Sequence, residues 1–273
     1  MSTDKGYFCY AANEDQLNLA YGLALTIKLT QPRVNSITVA VPPGTEVTGK
    51  NEVIFDHIIE VQHNFDVLSV TPYQKTIFVS PDMLLVNNIE NWWDVLASRP
   101  FTICSKALTY RNHPVDDSFY RKCFSDNGLL NVYSSFVFFD KASPLTQEIF
   151  ACIDLIRINW PIVSEHYLIS TSRPDSYSPS LLFALAFKLL GHSDKVISHL
   201  DVPTFVNMRS NSQKWTVSGM APLEEDWTKQ ISHWYNPPDI KIGNYHIQAP
   251  IRYHRVPLLS IQHIIQLERT VGL

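Results

Sequence analysis

The fold is decided by one stretch of the sequence, Lys75-Thr76-Ile77-Phe78-Val79-Ser80-Pro81-Asp82-Met83-Leu84-Leu85-Val86. Its first part is rich in β-branched and aromatic residues and predicts a buried strand. The strand should stop at Ser80-Pro81-Asp82, because proline cannot donate to a sheet ladder, before a second apolar run begins. In open α/β sheets ligands bind at the carboxyl ends of strands, so Asp82 is well placed to hold a cation and its phosphate ligand. The alternative is that Ser80-Pro81-Asp82 forms an ordinary turn that binds no ligand, since all three residues favour turns.

Length and composition fit one large α/β domain, since the chain has 273 residues and 45% of them are hydrophobic. The formal net charge of −4 supplies no global basic field for nonspecific nucleic-acid binding, although local basic patches remain open. The cysteines lack the spacing of metal sites, which indicates reduced thiols in a cytoplasmic protein. The N-terminus lacks a secretion signal and no run has the length of a membrane span, so we expect no membrane partner.

The start of the chain predicts a strand over residues 6–12 and a helix over residues 16–28, with Asn13-Glu14-Asp15 as the cap. Acids at the helix start and Lys28 near its end complement the helix dipole. A strand followed by a helix is typical of a nucleotide-binding opening. The small residues Ala11 and Ala12 let a base or ribose approach the backbone closely.

Further elements follow from periodicity and turn residues. Strands are expected over residues 36–41, 53–61, 101–104 and 130–139, and helices over residues 144–159, 179–191 and 260–269. Residues 87–96 predict a turn followed by a helix. In the helix over 179–191, Ser180 lies near the start and Gly191 marks the end. The last helix is amphipathic and should dock on the body of the protein or on a second subunit, so a monomer and a homodimer are both open.

The stretch around Asp82 resembles the strand and Asp-x-Asp turn of glycogenin-like glycosyltransferases, which have a GT-A fold. In that family both acids approach Mn²⁺ or Mg²⁺ and the donor diphosphate. Here Ser80 stands in place of the first acid, so the site has one negative ligand fewer. Metal affinity should therefore be weaker, or another residue must help.

The resemblance implies a GT-A fold, an α/β Rossmann-like mixed sheet flanked by helices. One domain would span residues 1–273, with an irregular C-terminal extension over residues 200–273 that completes the donor site. It also implies a UDP-sugar donor, a Mn²⁺ or Mg²⁺ cofactor, and transfer of the sugar to a hydroxyl acceptor with retention of anomeric configuration.

The same resemblance assigns roles to individual residues. The metal ligands would be Asp82 and His254. The donor-binding residues would be Tyr10, Ala11, Ala12, Asn13, Lys75, Ser80, Lys106, Ser134 and Arg255. The catalytic group near the sugar would be Asn131, Asp175 and Ser180. Relatives often carry an acid at the start of the helix over 179–191, whereas this chain has serine, which cannot act as a strong base at neutral pH.

The acceptor is suggested by two weaker features. The sequence from Asn88 to Leu96, which contains Trp92-Trp93, is similar to a segment of glycosyltransferase-like proteins of tailed bacteriophages. Cations and aromatics also lie together in an expected loop region, at Lys106, Tyr110, Arg111, Tyr120, Arg121 and Lys122. This cluster favours contact with a polynucleotide or with the donor diphosphate. One hypothesis is therefore phage DNA carrying hydroxymethylated pyrimidines, modified in the host cytoplasm. A protein or polysaccharide acceptor, and a noncatalytic module that only binds a nucleotide-sugar, are the alternatives.

Overall fold

The computed structural model describes residues 4–85, 87–108, 114–115, 121–198, 202–208, 239–242, 245–248, 251–253 and 261–273. The strands in these ranges are Lys5–Tyr10 (β1), Ile37–Val41 (β2), His57–Glu60 (β3), Lys75–Val79 (β4), Met83–Leu84 (β5), Phe101–Cys104 (β6), Lys106–Leu108 (β7), Tyr133–Asp140 (β8), Thr204–Met208 (β9), Asp239–Ile242 (β10), Tyr245–Gln248 (β11) and Ile251–Tyr253 (β12). The α-helices are Glu14–Thr30 (α1), Lys50–Ile54 (α2), Val67–Val70 (α3), Glu90–Leu96 (α4), Lys122–Asp126 (α5), Pro144–Ile158 (α6), Trp160–Tyr167 (α7), Pro179–Leu190 (α8) and Ile261–Val271 (α9).

A six-stranded sheet forms the centre of the molecule, in the order β3-β2-β1-β4-β8-β6. Strands β1, β2, β3 and β4 pair in parallel, whereas β8 runs antiparallel to both β4 and β6. Because β1 and β4 are neighbours and parallel, their carboxyl ends meet at the same edge of the sheet. This arrangement brings Tyr10 and Val79, the last residues of these strands, to one place.

A second sheet has the order β5-β12-β9-β7. Its first strand, β5, follows β4 after only Ser80-Pro81-Asp82, so the chain passes from one sheet to the other across this turn. Strand β12 runs antiparallel to β5, with Arg252 opposite Met83, and parallel to β9. Strands β10 and β11 pair as a separate antiparallel ribbon.

Apolar side chains pack on both faces of the central sheet, as expected for a sheet that is covered by helices on each side. On the face under α1 and α4, Tyr7 meets the Trp93 ring edge-on, with the ring centroids 5.5 Å apart. On the opposite face, under α6 and α8, Phe101 packs against Phe150 and Phe187. Successive residues of β1, Tyr7 and Phe8, belong to different clusters, which follows from the alternation of side chains along a strand.

The structure confirms the helices that were predicted from periodicity. Helix α1 is capped by Asn13, whose side chain accepts a hydrogen bond from the Gln16 N–H at 2.9 Å. Helix α8 ends at Gly191, which adopts a left-handed conformation with φ of 67°. The last helix, α9, packs against α1 of the same chain. None of the helices in the described ranges is long and apolar enough to cross a membrane.

The predicted strand over residues 53–61 is wrong in its first part. Residues Lys50–Ile54 form α2, and β3 begins only at His57. Val53 is 65% exposed, so the apolar residues of this run do not all enter the core. The turn between the two elements is fixed by Asp56, whose carboxylate accepts hydrogen bonds from the Ile37 N–H and the Lys28 ammonium, both at 2.7 Å.

Two other local expectations change. Lys106, which was expected in a loop, begins β7, and its backbone carbonyl accepts a hydrogen bond from the Thr204 hydroxyl at 2.7 Å. Within the extension over 200–273, the described residues add strands β9 and β12 to the second sheet. Neither pairing has a local signal, because each partner strand lies far away in the sequence.

Candidate functional site

A cavity of about 490 Å³ opens at the carboxyl ends of β1 and β4. Its polar lining residues come from the β1–α1 connection, the segment after β3, the turn after β4, the start of β8 and the start of α8. They are Tyr10, Gln16, Asn64, Ser80, Asp82, Ser134, Ser135, Ser178 and Ser180. The position agrees with the general rule that ligands of open α/β sheets bind beyond the carboxyl ends of the strands.

The β1–α1 connection is held by a reciprocal pair of hydrogen bonds. Asn13 caps α1 through the Gln16 N–H, and the Gln16 side-chain oxygen accepts from the Ala12 N–H at 2.8 Å. Such a reciprocal arrangement satisfies donors that a helix start would leave free. Tyr10 and Ala12 are thereby fixed at the cavity wall. Burial, followed by the negative charge of Asp66, raises the pKa of Tyr10 above its ordinary value, so its phenol remains a hydrogen-bond donor at neutral pH.

The turn after β4 places Ser80 and Asp82 on the cavity wall. The Met83 N–H donates to the Ser80 carbonyl at 3.1 Å, which closes the turn, and the Ser80 N–H donates to the Ser135 carbonyl at 2.9 Å. Both side chains are half-buried. The carboxylate therefore stands at the edge of the central sheet, where β4 gives way to β5.

Strand β8 presents two successive serines to the same cavity. Side chains that are adjacent in a regular strand point to opposite faces, but the pairing of β8 with β6 shifts register between Val137 and Tyr133. Register shifts of this kind re-aim side chains and are common next to active sites. Ser134 and Ser135 can therefore both line the cavity.

Helix α8 begins at the cavity and adds a third serine. Ser178 caps the helix through the Leu181 N–H, and Pro179 occupies the first turn. The Ser180 hydroxyl oxygen accepts a hydrogen bond from the Ser134 N–H at 3.1 Å and lies 3.1 Å from the Ser134 hydroxyl. These two side chains form a pair of hydroxyl groups that can donate to and accept from a polyol.

A divalent cation fits this wall in one particular way. Carboxylate and hydroxyl oxygens are ligands that Mg²⁺ and Mn²⁺ prefer, and Mg²⁺ is commonly held by one or two carboxylates together with substrate phosphates. Asp82 and Ser80 supply that partial set. No group of three or more His, Cys, Asp or Glu side chains in the described part of the chain could hold a metal by itself. A cation here would therefore need oxygens from the ligand or from residues beyond the described ranges.

The structure brings together six of the predicted site residues on the cavity wall. They are Tyr10, Ala12, Ser80, Asp82, Ser134 and Ser180. Ala11 and Asn13 lie beside them without lining the cavity. Ala11 is only 1% exposed and its N–H donates to the Ala40 carbonyl, while the Asn13 side chain serves as the helix cap.

Four other predicted residues lie elsewhere. Lys75 starts β4, so the length of that strand separates it from Ser80. Lys106 belongs to β7 in the second sheet. Asn131 precedes β8, with its side-chain oxygen buried and without a hydrogen-bond partner in the described structure. Asp175 is exposed in the segment before α8, and its carbonyl accepts from the Trp160 indole N–H at 3.4 Å.

His254 and Arg255 lie outside the described residues, as do Tyr110, Arg111 and Tyr120 of the cation and aromatic cluster. Arg121 of that cluster is used within the protein. Its guanidinium lies 3.9 Å from the centre of the Tyr133 ring and donates to the Val132 carbonyl at 2.8 Å.

Several lining residues were not predicted. Gln16 and Ser178 had readable signals, since a glutamine three residues after Asn13 completes a capping pair and a Ser-Pro step is typical of a helix start. Asn64 lies in a short 3₁₀ turn that begins at that residue, and no periodicity marks it. Ser135 lies on the same face of β8 as Val137 and Phe139, which also line the cavity, and the placement of this face depends on partner strands distant in sequence.

Comparison with known proteins supports the fold. No protein-family model matches the sequence, and no curated protein sequence matches it. Among solved structures, the chain resembles the galactosyltransferase LgtC in complex with donor and acceptor sugar analogues, with a TM-score of 0.52 and 12% identity over 97% of this chain and 95% of that one. An active-site mutant of LgtC matches with a TM-score of 0.50 and 10% identity over 97% and 95% of the two chains.

Mouse xyloside xylosyltransferase 1 also matches, with a TM-score of 0.46 and 8% identity over 94% of this chain and 100% of that one. The likeness to LgtC extends over nearly the full length of both chains. This chain therefore has the mixed α/β GT-A fold of glycosyltransferases, with a mostly parallel central sheet flanked by helices.

Proposed function

We propose that this protein is a glycosyltransferase that moves a sugar from a nucleotide-sugar, with UDP as the nucleotide, to a hydroxyl acceptor. The observation that carries the proposal is the cavity at the carboxyl ends of β1 and β4. In this GT-A fold, Asp82 of the turn after β4 lines the same cavity as Ser134 of β8 and Ser180 of α8. These groups match the parts of a nucleotide-sugar, which are a nucleoside, an anionic diphosphate and a polyol.

Each part of the donor has a corresponding part of the wall. The nucleoside would lie against Tyr10 and Ala12. Ala11 and Asn13 would hold this segment in place, through the Ala11 N–H bond to the Ala40 carbonyl and the Asn13 cap of α1. The sugar hydroxyls would bond the Ser134 and Ser180 hydroxyl groups. The Ser180 oxygen accepts from the Ser134 N–H, and the Ser180 proton can be donated either to the Ser134 hydroxyl or to an oxygen of the ligand.

Asp82 and Ser80 would hold Mn²⁺ or Mg²⁺ beside the diphosphate. When bound, such a cation neutralises the charge that develops on the departing nucleoside diphosphate. The chain's own contribution is to fix the carboxylate, because the turn that carries it is closed by the Met83 N–H bond to the Ser80 carbonyl. The wall also orients the sugar through hydroxyl groups that do not act as bases at neutral pH.

We include His254 as a second metal ligand and Arg255 as a diphosphate contact in this proposal. The support comes from the strand before them. Arg252 of β12 pairs with Met83, the residue directly after Asp82, and β12 ends at Tyr253. The end of β12 at Tyr253, the residue before His254, is therefore close to Asp82.

The experiment that tests the donor proposal measures binding and turnover separately. UDP with Mn²⁺ should raise the melting temperature, and hydrolysis of UDP-sugars should release UDP. Asp82→Asn should lower that hydrolysis by about 100-fold or more, because it removes the negative ligand of the cation. Asp194→Asn, an exposed acid that does not line the cavity, is the matched control.

Two results would separate the alternatives. Binding of UDP without hydrolysis or transfer would favour a noncatalytic nucleotide-sugar module. A melting temperature that UDP and Mn²⁺ leave unchanged would contradict the donor proposal altogether. Asp175→Asn tests the remaining acid near α8, and we expect it to behave like the control because the Asp175 side chain is exposed and does not line the cavity.

For the acceptor, we retain DNA with hydroxymethylated pyrimidines as the first hypothesis and a protein or polysaccharide hydroxyl as the second. Among the described residues of the predicted contact region, Lys106 and Lys122 are the lysines, and Arg121 is engaged with Tyr133 and Val132. Mass spectrometry of hydroxymethylated and plain DNA after incubation with UDP-sugars decides this point. Sugar addition to the hydroxymethylated DNA alone supports the hypothesis, and none on either DNA overturns it.

A further inference from the structure

Two carboxamide side chains, Gln16 and Asn64, line the cavity together with Tyr10. Gln16 lies in the first turn of α1, and Asn64 lies in the short 3₁₀ turn that follows β3. All three residues are half-buried, so each keeps accessible surface at the cavity wall. The two amides therefore belong to the part of the wall that a ligand can reach.

The orientation of the Gln16 amide is fixed by the backbone. Its Oε1 atom accepts a hydrogen bond from the Ala12 N–H at 2.8 Å. Because an N–H donor must face an oxygen, the amide cannot be turned the other way round. Its Nε2 atom makes no hydrogen bond within the described residues, so Gln16 offers a donor to a ligand.

Asn64 is carried by a turn with its own hydrogen bonds. The Asp66 carboxylate accepts from the His63 N–H at 2.9 Å, and the Asp66 N–H donates to the His63 carbonyl at 3.1 Å. The turn lies near Tyr10, because the charge of Asp66 adds to the effect of burial in raising the pKa of the Tyr10 phenol. In the described part of the chain the Asn64 carboxamide has no hydrogen-bond partner, so its oxygen is available as an acceptor.

The wall beside Gln16 also has an apolar part. Leu19 follows Gln16 by three residues, on the same side of α1, and is half-buried at the cavity wall. A nucleobase combines apolar faces with a polar edge, so it can contact an apolar side chain and amide groups at once. The chemistry of this part of the wall therefore suits a base.

We propose that Gln16 and Asn64 bind the edge of the donor nucleobase and select uracil over cytosine. The Gln16 Nε2–H donates to the 4-carbonyl oxygen of uracil, and the Asn64 Oδ1 accepts from the N3–H. Cytosine has an amino group at position 4, so the fixed donor of Gln16 would meet a second donor. The 2-carbonyl, which both bases share, lies beside the bond to the ribose, whereas N3 and position 4 face away from it. The inference rests on the proposed function and names the residues that set its nucleotide specificity.

One substitution reverses the group that Gln16 presents. Gln16→Glu keeps an oxygen for the Ala12 N–H and replaces Nε2 by an acceptor, which opposes the uracil carbonyl and suits the cytosine amino group. Isothermal titration with UDP and with CDP, each with Mn²⁺, measures the two Kd values. Wild-type protein should bind UDP about tenfold or more tightly than CDP, and Gln16→Glu should bring the two Kd values together or invert their order. The ratio cancels the repulsion between the added charge and the diphosphate, which both nucleotides share.

Three further variants complete the test. Asn18→Asp adds the same charge at an exposed position of α1 that does not line the cavity, and it should leave the ratio unchanged. Asn64→Asp keeps the acceptor oxygen and should retain the preference for UDP, whereas Asn64→Leu removes the acceptor and should reduce it. Thermal unfolding without ligand shows whether each variant is folded.

The outcomes keep this inference apart from the function that it refines. If wild-type protein binds UDP and CDP equally, or if Gln16→Glu leaves the ratio as in wild type, the inference is wrong, while UDP release from UDP-sugars would still support glycosyl transfer. If Gln16→Glu binds neither nucleotide, the ratio for Asn64→Leu decides, and an unchanged ratio there overturns the inference. If wild-type protein binds neither nucleotide, the proposed function fails and the inference fails with it.

Discussion

At the scale of single residues, the site depends on one carboxylate. Asp82 lines the cavity together with Ser80, which stands where the resembled family has its first acid. Both residues flank Pro81 in the same turn, so their side chains can approach one ion. The substitution of an acid by serine predicts weak metal binding, with oxygens of the donor completing the coordination.

Restoring the missing acid tests that view. Ser80→Asp should tighten Mn²⁺ binding by about tenfold or more, since affinity for hard cations rises with the number of charged ligands. Isothermal titration with Mn²⁺ in the presence of UDP measures the change. Ser176→Asp, at an exposed serine before α8, supplies the same charge away from the cavity. Equal affinity in all three proteins would show that Ser80 does not face the ion.

Gly6 in β1 has a different role, because it makes room for a neighbour. A Cβ at this position would overlap with the ring of Tyr73, which is 1% exposed. The Tyr73 hydroxyl accepts a hydrogen bond from the Thr38 hydroxyl at 3.0 Å, which keeps the ring in place. Gly6→Ala should therefore lower the free energy of unfolding by about 1–3 kcal/mol, as overpacking of a closed core usually does.

Urea unfolding of a double-mutant cycle checks this assignment. In a Tyr73→Leu background the obstructing ring is absent, so Gly6→Ala should cost much less there than in the wild-type protein. The same cost in both backgrounds would mean that the loss comes from the strand itself.

At the scale of elements, α9 is fastened to α1 by a buried acid. Glu268 is 5% exposed, and its carboxylate accepts hydrogen bonds from the Tyr21 hydroxyl at 2.8 Å and the Lys50 ammonium at 2.7 Å. Burial acts to raise the pKa of Glu268, but the hydrogen bonds from Lys50 and Tyr21, together with the Lys50 charge, outweigh it and hold the pKa below its ordinary value. The folded state therefore binds the proton less tightly than the unfolded chain.

The sign of the pH dependence follows directly. The stabilisation by Glu268 should be complete above the unfolded pKa of about 4.3 and should be lost as the pH falls through the lower pKa of the folded state. Glu268→Gln should thus destabilise the protein at pH 7, with the difference from wild type shrinking below about pH 4. Thermal unfolding between pH 3 and pH 7 measures this. Glu165→Gln, an exposed glutamate of α7, should show no such trend.

At the scale of the whole molecule, the cavity joins residues from both halves of the described chain, from Tyr10 to Phe183. A ligand that bridges these segments binds the folded state alone. At a concentration of 100 times its dissociation constant, it should add about 2.7 kcal/mol to the free energy of unfolding. Urea unfolding with UDP and Mn²⁺ should show that increase, and Asp82→Asn should remove the part that requires Mn²⁺. A ligand effect that survives this substitution in full would separate the cation from Asp82.

Local chemistry made a large part of this architecture predictable. The strand after Lys75, the cap at Asn13 and the end of α8 at Gly191 each follow from neighbouring residues, and the structure confirms them. The GT-A fold followed from the resemblance of the stretch around Asp82, and comparison with LgtC supports it. In the candidate site, the same stretch and the start of the chain led to Tyr10, Ala12, Ser80 and Asp82 on the cavity wall.

What could not be predicted depends on distant partners. That Ser134 and Ser135 both line the cavity depends on a register shift against β6, and β7 pairs with β9, a strand distant in sequence. Lys75 was assigned from the resemblance and Asp175 as the acid nearest in sequence to the start of α8, yet strand length and exposure place both away from the cavity. Periodicity shows which face of an element is apolar, whereas register is determined by the partner strand.

The passage of the chain from the central sheet to the second sheet has an evolutionary consequence. Ser80, Pro81 and Asp82 are the only residues between β4 and β5. Asp82 therefore lies between β4 of the central sheet and β5, which pairs with β12 in the second sheet. Substitutions in the later strands can therefore reposition the acid through backbone hydrogen bonds, without changing Tyr10 and Ala12 on the other part of the cavity wall. In the proposed function, such substitutions would shift the cation beside the donor diphosphate, so that evolution can change donor activation through strands that do not line the cavity.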